Sequence, residues 1–362
     1  MELAQKAFRK NYNIFYLKKK EFDIFYSKKY KYPIVVVETV DKNTGKSEGS
    51  KKIIRSEIED PFKPDKELPL NSRLSIKDYT DYMEYGGSMG HNAPAGFHKT
   101  NIGVYNETFL LSNMCPQEIV FNSGLWVILE NFCKRLQNEL DLYDIKVYTG
   151  SIPGKKNQIF NKTELNVPSH MFKVVTAKHQ NHKGKFFIGC FLMENKPPKE
   201  RIFKIYKYLV SLKHLSDLSG INFFKLFNHY QEFNPIDYSI SSLNKVTRID
   251  VKFNKMLSKQ MHSSSYYGVV VYSKNLQELE SNWEKTKKAG FNDEFHEFYY
   301  DLAKKRIKRE MKSKKSSKKV SISKKSSKKA SNKKESNKKA SNKKGSNKKG
   351  SNKKSSKKSS RK

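Results

Sequence analysis

Cysteine is scarce in this chain, and its absence from paired positions excludes two classes of protein. The three cysteines, Cys115, Cys133 and Cys190, form no CxxC spacing, which argues against a disulfide framework and against a zinc ribbon. They read as small buried hydrophobes. Long apolar runs are also missing: no stretch approaches the ~18 consecutive apolar residues of a membrane-spanning helix. The N-terminus, MELAQKAFRKNYNIFYLKKK, lacks an apolar core followed by small residues, so no secretory signal is expected. The richness in Lys, Asn, Ile, Phe and Tyr fits an AT-rich genome, such as that of a protist or a large DNA virus. A location inside a host or source cell, or in a virion, is expected.

Acidic residues are the second shortage. There are 36 Asp+Glu against 73 Lys+Arg, a formal net charge of +37, and the imbalance is uneven. Residues 311–362 hold 23 Lys+Arg and a single acid, Glu335, which leaves 50 against 35 for residues 1–310. That terminal stretch has no aromatic residue, and only Met311, Val320 and Ile322 are large and apolar. Nothing there offsets the entropy of ordering a chain, so a disordered tail is expected. Its Ser-Asn-Lys-Lys units recur with a period of five, which matches no packed repeat. The body carries all 23 Phe, all 20 Tyr and both Trp, enough for a globular core. The charge points to a polyanionic partner, DNA and/or RNA, bound without regard to sequence because lysine acts as a point charge. Neutralising about eight phosphates would give a salt slope of about −7, at ~−0.9 per contact.

Residues 1–30 mix basic residues with Phe8, Tyr12, Phe15, Tyr16, Phe22, Phe25 and Tyr26, and read as an amphipathic helix lying on the body. The β-branched run YPIVVVETV, residues 32–40, reads as a buried strand followed by a turn at Asp41 to Gly45. From about Lys51 to Thr80 the chain is polar, with Pro61, Pro64 and Pro69, and predicts a long surface excursion with little regular structure. The spacing of Leu125, Leu129, Phe132, Cys133, Leu136 and Leu140 predicts a helix from about Asn122 to Asn138. Residues 145–149, 172–176 and 186–193 read as strands, and 206–218 as a short strand or helix ending at Gly220. Two weaker units follow: a strand pair at 266–272 and a charged helix over about 276–309.

Glycines 86, 87, 90 and 96 surround a single imidazole, His91, in the segment YGGSMGHNAPAG, where the backbone can approach a ligand closely. Alone this is a weak signal. The next block sharpens it: Leu111-Ser112-Asn113, Pro116-Gln117, then Asn122, Gly124, Trp126 and Leu129-Glu130. With Gly90-His91 and Pro94-Ala95, these residues resemble the DNA/RNA non-specific endonucleases, the ββα-metal or His-Me finger nucleases that include endonuclease G. The family pattern reads approximately Asp-Arg-Gly-His-x-x-Pro-Ala, Leu-Ser-Asn-x-x-Pro-Gln, then Asn-x-Gly-x-Trp-x-x-Leu-Glu. Upstream, Arg55, the acidic-proline run at Asp60 to Asp65, and Asp78-Tyr79 extend the resemblance. Downstream, Tyr148-Thr149-Gly150, Val167 to Val175 and Leu209 to Phe224 extend it further. It covers about residues 30–230. The implied organisation is an N-terminal segment 1–30, an endonuclease-like domain 31–230, an extension 231–310 of unassigned role, and the tail 311–362. The implied fold is α+β, a central antiparallel sheet flanked by helices.

Phosphodiester hydrolysis needs a deprotonated water, stabilisation of the transition state's charge, and help for the departing oxygen. A neutral imidazole can take the water's proton, so His91 is the candidate general base. The resemblance implies that Asn122 anchors Mg²⁺ or Mn²⁺, a hard cation that keeps waters and needs few protein ligands. Glu130 lies eight residues on, about 80° round a helix and roughly 12 Å along it, and is better placed to hold a metal-bound water. Arg55 fits a bidentate phosphate contact or one more arginine on a basic surface. Asn113 fits either an orienting role at His91 or a structural cap. Trp126 and Leu129 read as core, and His98, His170, His179 and His182 as structural or surface residues.

The chain departs from the family at one place: Ser88-Met89 stands where relatives have Asp-Arg. Loss of one charged stabiliser of a developing anion typically costs about 10²- to 10³-fold in rate. The expected activity is a metal-dependent, sequence-non-specific endonuclease; the competing reading is a catalytically impaired nuclease fold that binds or packages nucleic acid through its basic surface and tail.

Overall fold

The β-branched run Tyr32–Val40 forms β3, and the fold is built outward from it. The computed structural model describes residues 6–48, 53–55, 58–59, 61–139, 142–180, 182–197, 205–230, 270, 273–288, 297, 300–301, 303–308 and 310–311. On one side of β3 lie β1 (Ile14–Lys18) and β2 (Phe22–Ser27). On the other lie β6 (Leu142–Ile152), β9 (His170–His179) and β10 (His182–Glu194). The six strands run in the order β1-β2-β3-β6-β9-β10, every neighbouring pair antiparallel.

Strand alternation gives this sheet two different faces. Val36, Glu38, Val147, Thr149, Lys173 and Val175 share one face through the registers Val36↔Thr149, Glu38↔Val147, Lys173↔Thr149 and Val175↔Val147. Tyr148 lies on the other, its ring 4.9 Å from Phe227 in α5 (Phe223–Tyr230), which follows α4 (Leu212–Ser219). The first face carries a second, smaller pairing. There β4 (Gly87–His91) runs antiparallel to β5 (Met114–Glu118), and the chain then enters a helix through a π turn at Asn122–Trp126. That helix continues as α3 (Val127–Glu139). Trp126, Leu129, Phe132 and Leu136 are fully buried, and each such side chain contributes about 1.5–3 kcal/mol by leaving water. Strand, strand and helix make one ββα unit against the sheet, in the α+β architecture expected.

Two expectations need correction. The N-terminal segment is a hairpin, not an amphipathic helix: β1 and β2 pair through Tyr16↔Phe25 and Leu17↔Ile24. Its apolar residues serve both sides of a sheet. Leu17, Phe22, Ile24 and Tyr26 pack with Val36, Leu68 and Ala93, while Phe25 joins the main core. The lysines that mimic a helix's polar face gather at the turn, Lys18 to Lys20. The excursion before Thr80 is also more ordered than expected. Leu68, Leu74 and the charged Asp65 are buried, and α1 (Ile76–Met83) opens with a capping box in which the Ser75 amide donates to Asp78 Oδ2 at 2.7 Å.

All three cysteines are free and buried. The strand pair expected at 266–272 falls outside the described residues except Val270, and of the charged helix Leu276–Lys288 is described as α6. The chain divides into two units, Met1–Lys304 and Lys305–Lys362; in the second, residues 305–308, 310 and 311 are described and helical, and the rest of the lysine tail lies outside. Among the described residues no helix is long and apolar enough to cross a membrane.

Candidate active site

His91 ends β4, opposite Met114. Three features of the local sequence put it there. Gly87 lies against the Tyr82 ring, and Gly90 against Gln117, where any Cβ would come within 2.1 Å of Gln117 Cδ, so only glycine lets β4 and β5 close. Beyond His91 the chain turns back under Asn113. The buried Asn113 amide donates to the carbonyls of Ala93 (2.9 Å) and Thr108 (2.8 Å), and Oδ1 accepts from the Ala93 amide (2.9 Å). Its own carbonyl accepts from the amide nitrogen of Asn92 at 3.0 Å. Both donors of Asn113 are therefore engaged by backbone, and the residue fixes the loop that follows His91.

The imidazole sits between aromatic walls, edge-on to Phe109 at 4.9 Å and 5.9 Å from Phe62. Its Nε2 is buried with no hydrogen-bond partner among the described residues, which leaves Nδ1 as the nitrogen available to a ligand. Burial, reinforced by the Arg55 guanidinium, depresses the His91 pKa to about 4. The structure thus brings Arg55 to the histidine: its guanidinium lies over the Phe109 ring at 5.2 Å and donates to the carbonyl of Ile58 at 2.9 Å. Asp60, of the same sequence block, lies outside the described residues.

Asn122 begins the π turn and reaches across to β4. Ser88 Oγ donates to the Gln117 carbonyl (3.0 Å), so what it receives from Asn122 (3.1 Å) must be an N–H. That chain of two bonds fixes the amide's orientation and leaves Oδ1, with no donor among the described residues, as the free atom. One hard carbonyl oxygen free of protein donors is a fit for Mg²⁺, which needs few protein ligands. Among the described residues no group of three His, Cys, Asp or Glu is arranged to hold a metal, so a zinc-type cluster has no basis there.

A family model described as DNA/RNA non-specific endonuclease matches residues 2–229. The chain belongs to the DNA/RNA non-specific endonuclease family. Among curated proteins it is similar to "Nuclease EXOG, mitochondrial" of Xenopus laevis, 30% identical over 185 residues that cover 48% of this chain and 50% of that protein. It is also similar to "Nuclease C1" of Cunninghamella echinulata var. echinulata, 31% identical over 173 residues, 45% of this chain and 66% of that protein. The chain spans about half the length of the EXOG relatives from Xenopus laevis and Danio rerio. The solved EndoG/EndoGI complex aligns at 24% identity with a TM-score of 0.52, over 63% of this chain and 92% of that one, and so shares the fold. The family match reaches back to residue 2 and includes the hairpin for which the sequence offered no counterpart.

The departure from the endonuclease pattern at Ser88-Met89 has a local account. Ser88 relays between Gln117 and Asn122, and Met89 packs against the apolar cluster of Leu74, Tyr79, Tyr82 and Phe160. Position 89 serves packing rather than charge.

Glu130 stands apart from this group, half-buried and with no hydrogen bond to His91 or Asn122. Burial raises its pKa to about 7, the nearby Lys173 lowering it and Glu38 raising it. Neither neighbour was singled out in the sequence, where Lys173 and Glu38 look like incidental charges inside strands. Lys173 is fully buried; its ammonium donates to Thr149 Oγ1 at 2.6 Å and lies 4.9 Å over the Trp126 ring. Glu38 accepts from His98 Nε2 at 2.8 Å, and the other ring nitrogen of His98 meets Glu21 at 3.0 Å. His98, expected as a structural or surface residue, is buried and structural, held between two acids. A lysine within FKVVT and a glutamate within IVVVETV were the available signals.

Burial alone would depress the His98 pKa, but the two carboxylates outweigh it and raise it to about 9. The bridge therefore stabilises fully below the unfolded value near 6.5 and is lost as pH rises through about 9. The midpoint of urea unfolding is expected to fall across that window, equivalent to about 3 kcal/mol, and the His98→Asn variant to show no such fall. A slope equal in both proteins would assign the effect elsewhere.

Proposed function

We propose that the chain is a metal-dependent, sequence-non-specific nuclease that hydrolyses phosphodiester bonds in DNA and/or RNA. The observation that carries this is the pairing, within one ββα unit, of an imidazole with a single working nitrogen and an amide oxygen held free by Ser88. His91 Nδ1 takes a proton from the attacking water; a pKa near 4 keeps it unprotonated at neutral pH. Arg55, stacked on Phe109 and exposed, meets the phosphate with its guanidinium. Asn122 Oδ1 would hold Mg²⁺ or Mn²⁺, which when bound supplies charge neutralisation at the phosphate and the leaving oxygen. Glu130 accepts a hydrogen bond from a water, with no competing protein donor among the described residues. Asn113 is a positioning residue for the loop after His91. The lysine array holds the substrate close by sequence-independent attraction.

The second reading, a nuclease fold that binds nucleic acid without cutting it, is favoured by one observation: Met89 places a thioether, not a cation, on the strand that carries His91. Supercoiled plasmid in low salt separates the two. Nicked and linear forms are expected with Mg²⁺ and none with EDTA. Retarded but intact plasmid in every lane would establish the binding-only reading.

A further inference from the structure

We propose that the Tyr105 hydroxyl donates a hydrogen bond to the scissile phosphate beside Arg55, a contact that rests on the nuclease reading above and supplies part of what the uncharged Met89 cannot. Tyr105 lies on α2 (Ile102–Glu107), which opens with Asn101 Oδ1 accepting from the Val104 amide at 3.1 Å. Its backbone is held on both sides: the amide donates to the Asn101 carbonyl at 3.0 Å, and the carbonyl accepts from the Thr108 hydroxyl at 2.6 Å. Asn113, which fixes the loop after His91, also holds the Thr108 carbonyl. The Tyr105 residue is 3% exposed, with its ring 5.1 Å from that of Phe109. A buried tyrosine ordinarily finds a protein partner for its hydroxyl. Tyr26 donates to the Ser72 carbonyl at 2.9 Å, and Tyr85 to Asn161 at 2.9 Å, in the turn between β7 (Gln158–Phe160) and β8 (Thr163–Leu165). The Tyr105 hydroxyl has no such partner among the described residues, and unlike that of Tyr79 it is not sealed from solvent.

Two observations aim this hydroxyl at phosphate. The first is place. One ring, that of Phe109, is shared: His91 stands edge-on to it at 4.9 Å, the Arg55 guanidinium lies over it at 5.2 Å, and Tyr105 leans on it. The second is charge. Arg55 acts on His91 and on Tyr105, in each case second to burial, and no carboxylate among the described residues shifts either. The nearest described acids in sequence keep their charge but lie away from this ring: Glu107 accepts from the Lys20 amide at 2.9 Å, and Glu59 is exposed. Burial raises the Tyr105 pKa and Arg55 opposes it; the net shift is upward, so the phenol keeps its proton at neutral pH and can donate. The polar groups gathered on Phe109 are thus a proton acceptor, a cation and a neutral donor. That set suits a phosphodiester, whose non-bridging oxygens accept from the guanidinium and the phenol while the imidazole faces the water.

The test compares wild type with Tyr105→Phe, with Mg²⁺, on supercoiled plasmid and on thymidine 5′-(4-nitrophenyl phosphate), which offers the scissile phosphate and little else. The variant keeps the ring and the net charge, so the lysine-rich surface contributes equally to both proteins. It is expected to lower kcat/KM about ten- to a hundredfold on both substrates, the worth of a hydrogen bond to a charged group. Its urea midpoint is expected to match wild type, because the hydroxyl holds no protein group. A Tyr105→Phe protein with wild-type kcat/KM would overturn the proposal. So would a loss confined to the plasmid, which would put the contact on a phosphate other than the scissile one. A second readout needs no hydrolysis: in protein carrying isotopically labelled tyrosine, the NMR resonance that Tyr105→Phe removes is expected to shift when thymidine 3′,5′-bisphosphate is added in EDTA. If wild type hydrolyses neither substrate, the nuclease reading fails alone and this resonance decides the contact: a saturable shift supports it, and an unmoved resonance overturns it.

Discussion

Replacing His91 with alanine is expected to slow Mg²⁺-dependent nicking by about 10²- to 10⁴-fold while leaving plasmid retardation intact, because the variant loses proton transfer but not the basic surface. The pH dependence separates His91 from Glu130. With a pKa near 4, His91 is already in its basic form across the neutral range, so it places no limb there. Glu130 accepts a strong, charge-assisted bond from a water only when ionised, and its pKa is raised to about 7. The wild-type kcat/KM is therefore expected to climb through about pH 7 and level off above it, and Glu130→Gln to be slower and flat over the same range. An acid limb that survives Glu130→Gln unchanged would remove Glu130 from the reaction. A His91→Ala protein with more than a tenth of wild-type rate would remove His91 as the base.

The parts of the molecule legible in the sequence are those where one physical demand dominates. Tyr32–Val40 is buried on both faces and is apolar at nearly every position, which only a central strand requires. The helix after Asn122 is marked by its three-and-four spacing, although its first turn is a π turn that periodicity does not reveal. The N-terminal hairpin reads as a helix because two demands overlap there: Phe22, Ile24, Phe25 and Tyr26 serve opposite faces of the sheet, and the lysines at the turn dilute a period of two. His91, Asn113 and Asn122 were legible as types in an ordered motif. The buried charges around them were not, since Lys19 with Asp65, Glu38 with His98, and Lys173 with Thr149 are brought together only by the fold.

The role of Ser88 shows how a site departs from a family pattern without dissolving. A carboxylate at position 88 could accept from Asn122 but could not donate onward to the Gln117 carbonyl. The hydroxyl does both, so the amide of Asn122 keeps one orientation by a different bond pattern.

The largest stability effect is expected at Lys19 and Asp65. Both side chains are 3% exposed and their charges lie 2.8 Å apart, joining the β1–β2 turn to the loop that carries Phe62. Asp65 also accepts from the Ser112 hydroxyl at 2.5 Å, one residue before Asn113, and from the Glu67 amide at 3.0 Å. Burial pushes the Asp65 carboxyl up, but Lys19, Ser112 and Glu67 outweigh it, and the net pKa is lowered. Its contribution is thus complete above the unfolded value near 3.9 and is lost as pH falls through the folded one. Lys19 is raised against its own desolvation, so the alkaline loss begins only above about 10.4. Lys19→Met leaves a buried carboxylate without its cation and is expected to cost about 3–5 kcal/mol at pH 7 by urea unfolding. Adding Asp65→Leu to it removes the orphaned charge, and the double variant is expected to be more stable than Lys19→Met alone. If the two effects simply add, the pair is not coupled. The Lys63 backbone pairs with Phe109 and Leu111, and Asp65 with Ser112, so the loop that carries Phe62 beside His91 is tied to the segment before Asn113 partly through Asp65. Folded Lys19→Met protein, assayed below its midpoint, is therefore expected to lose kcat with little change in KM, whereas a purely structural pair would leave the kcat of the folded fraction at the wild-type value.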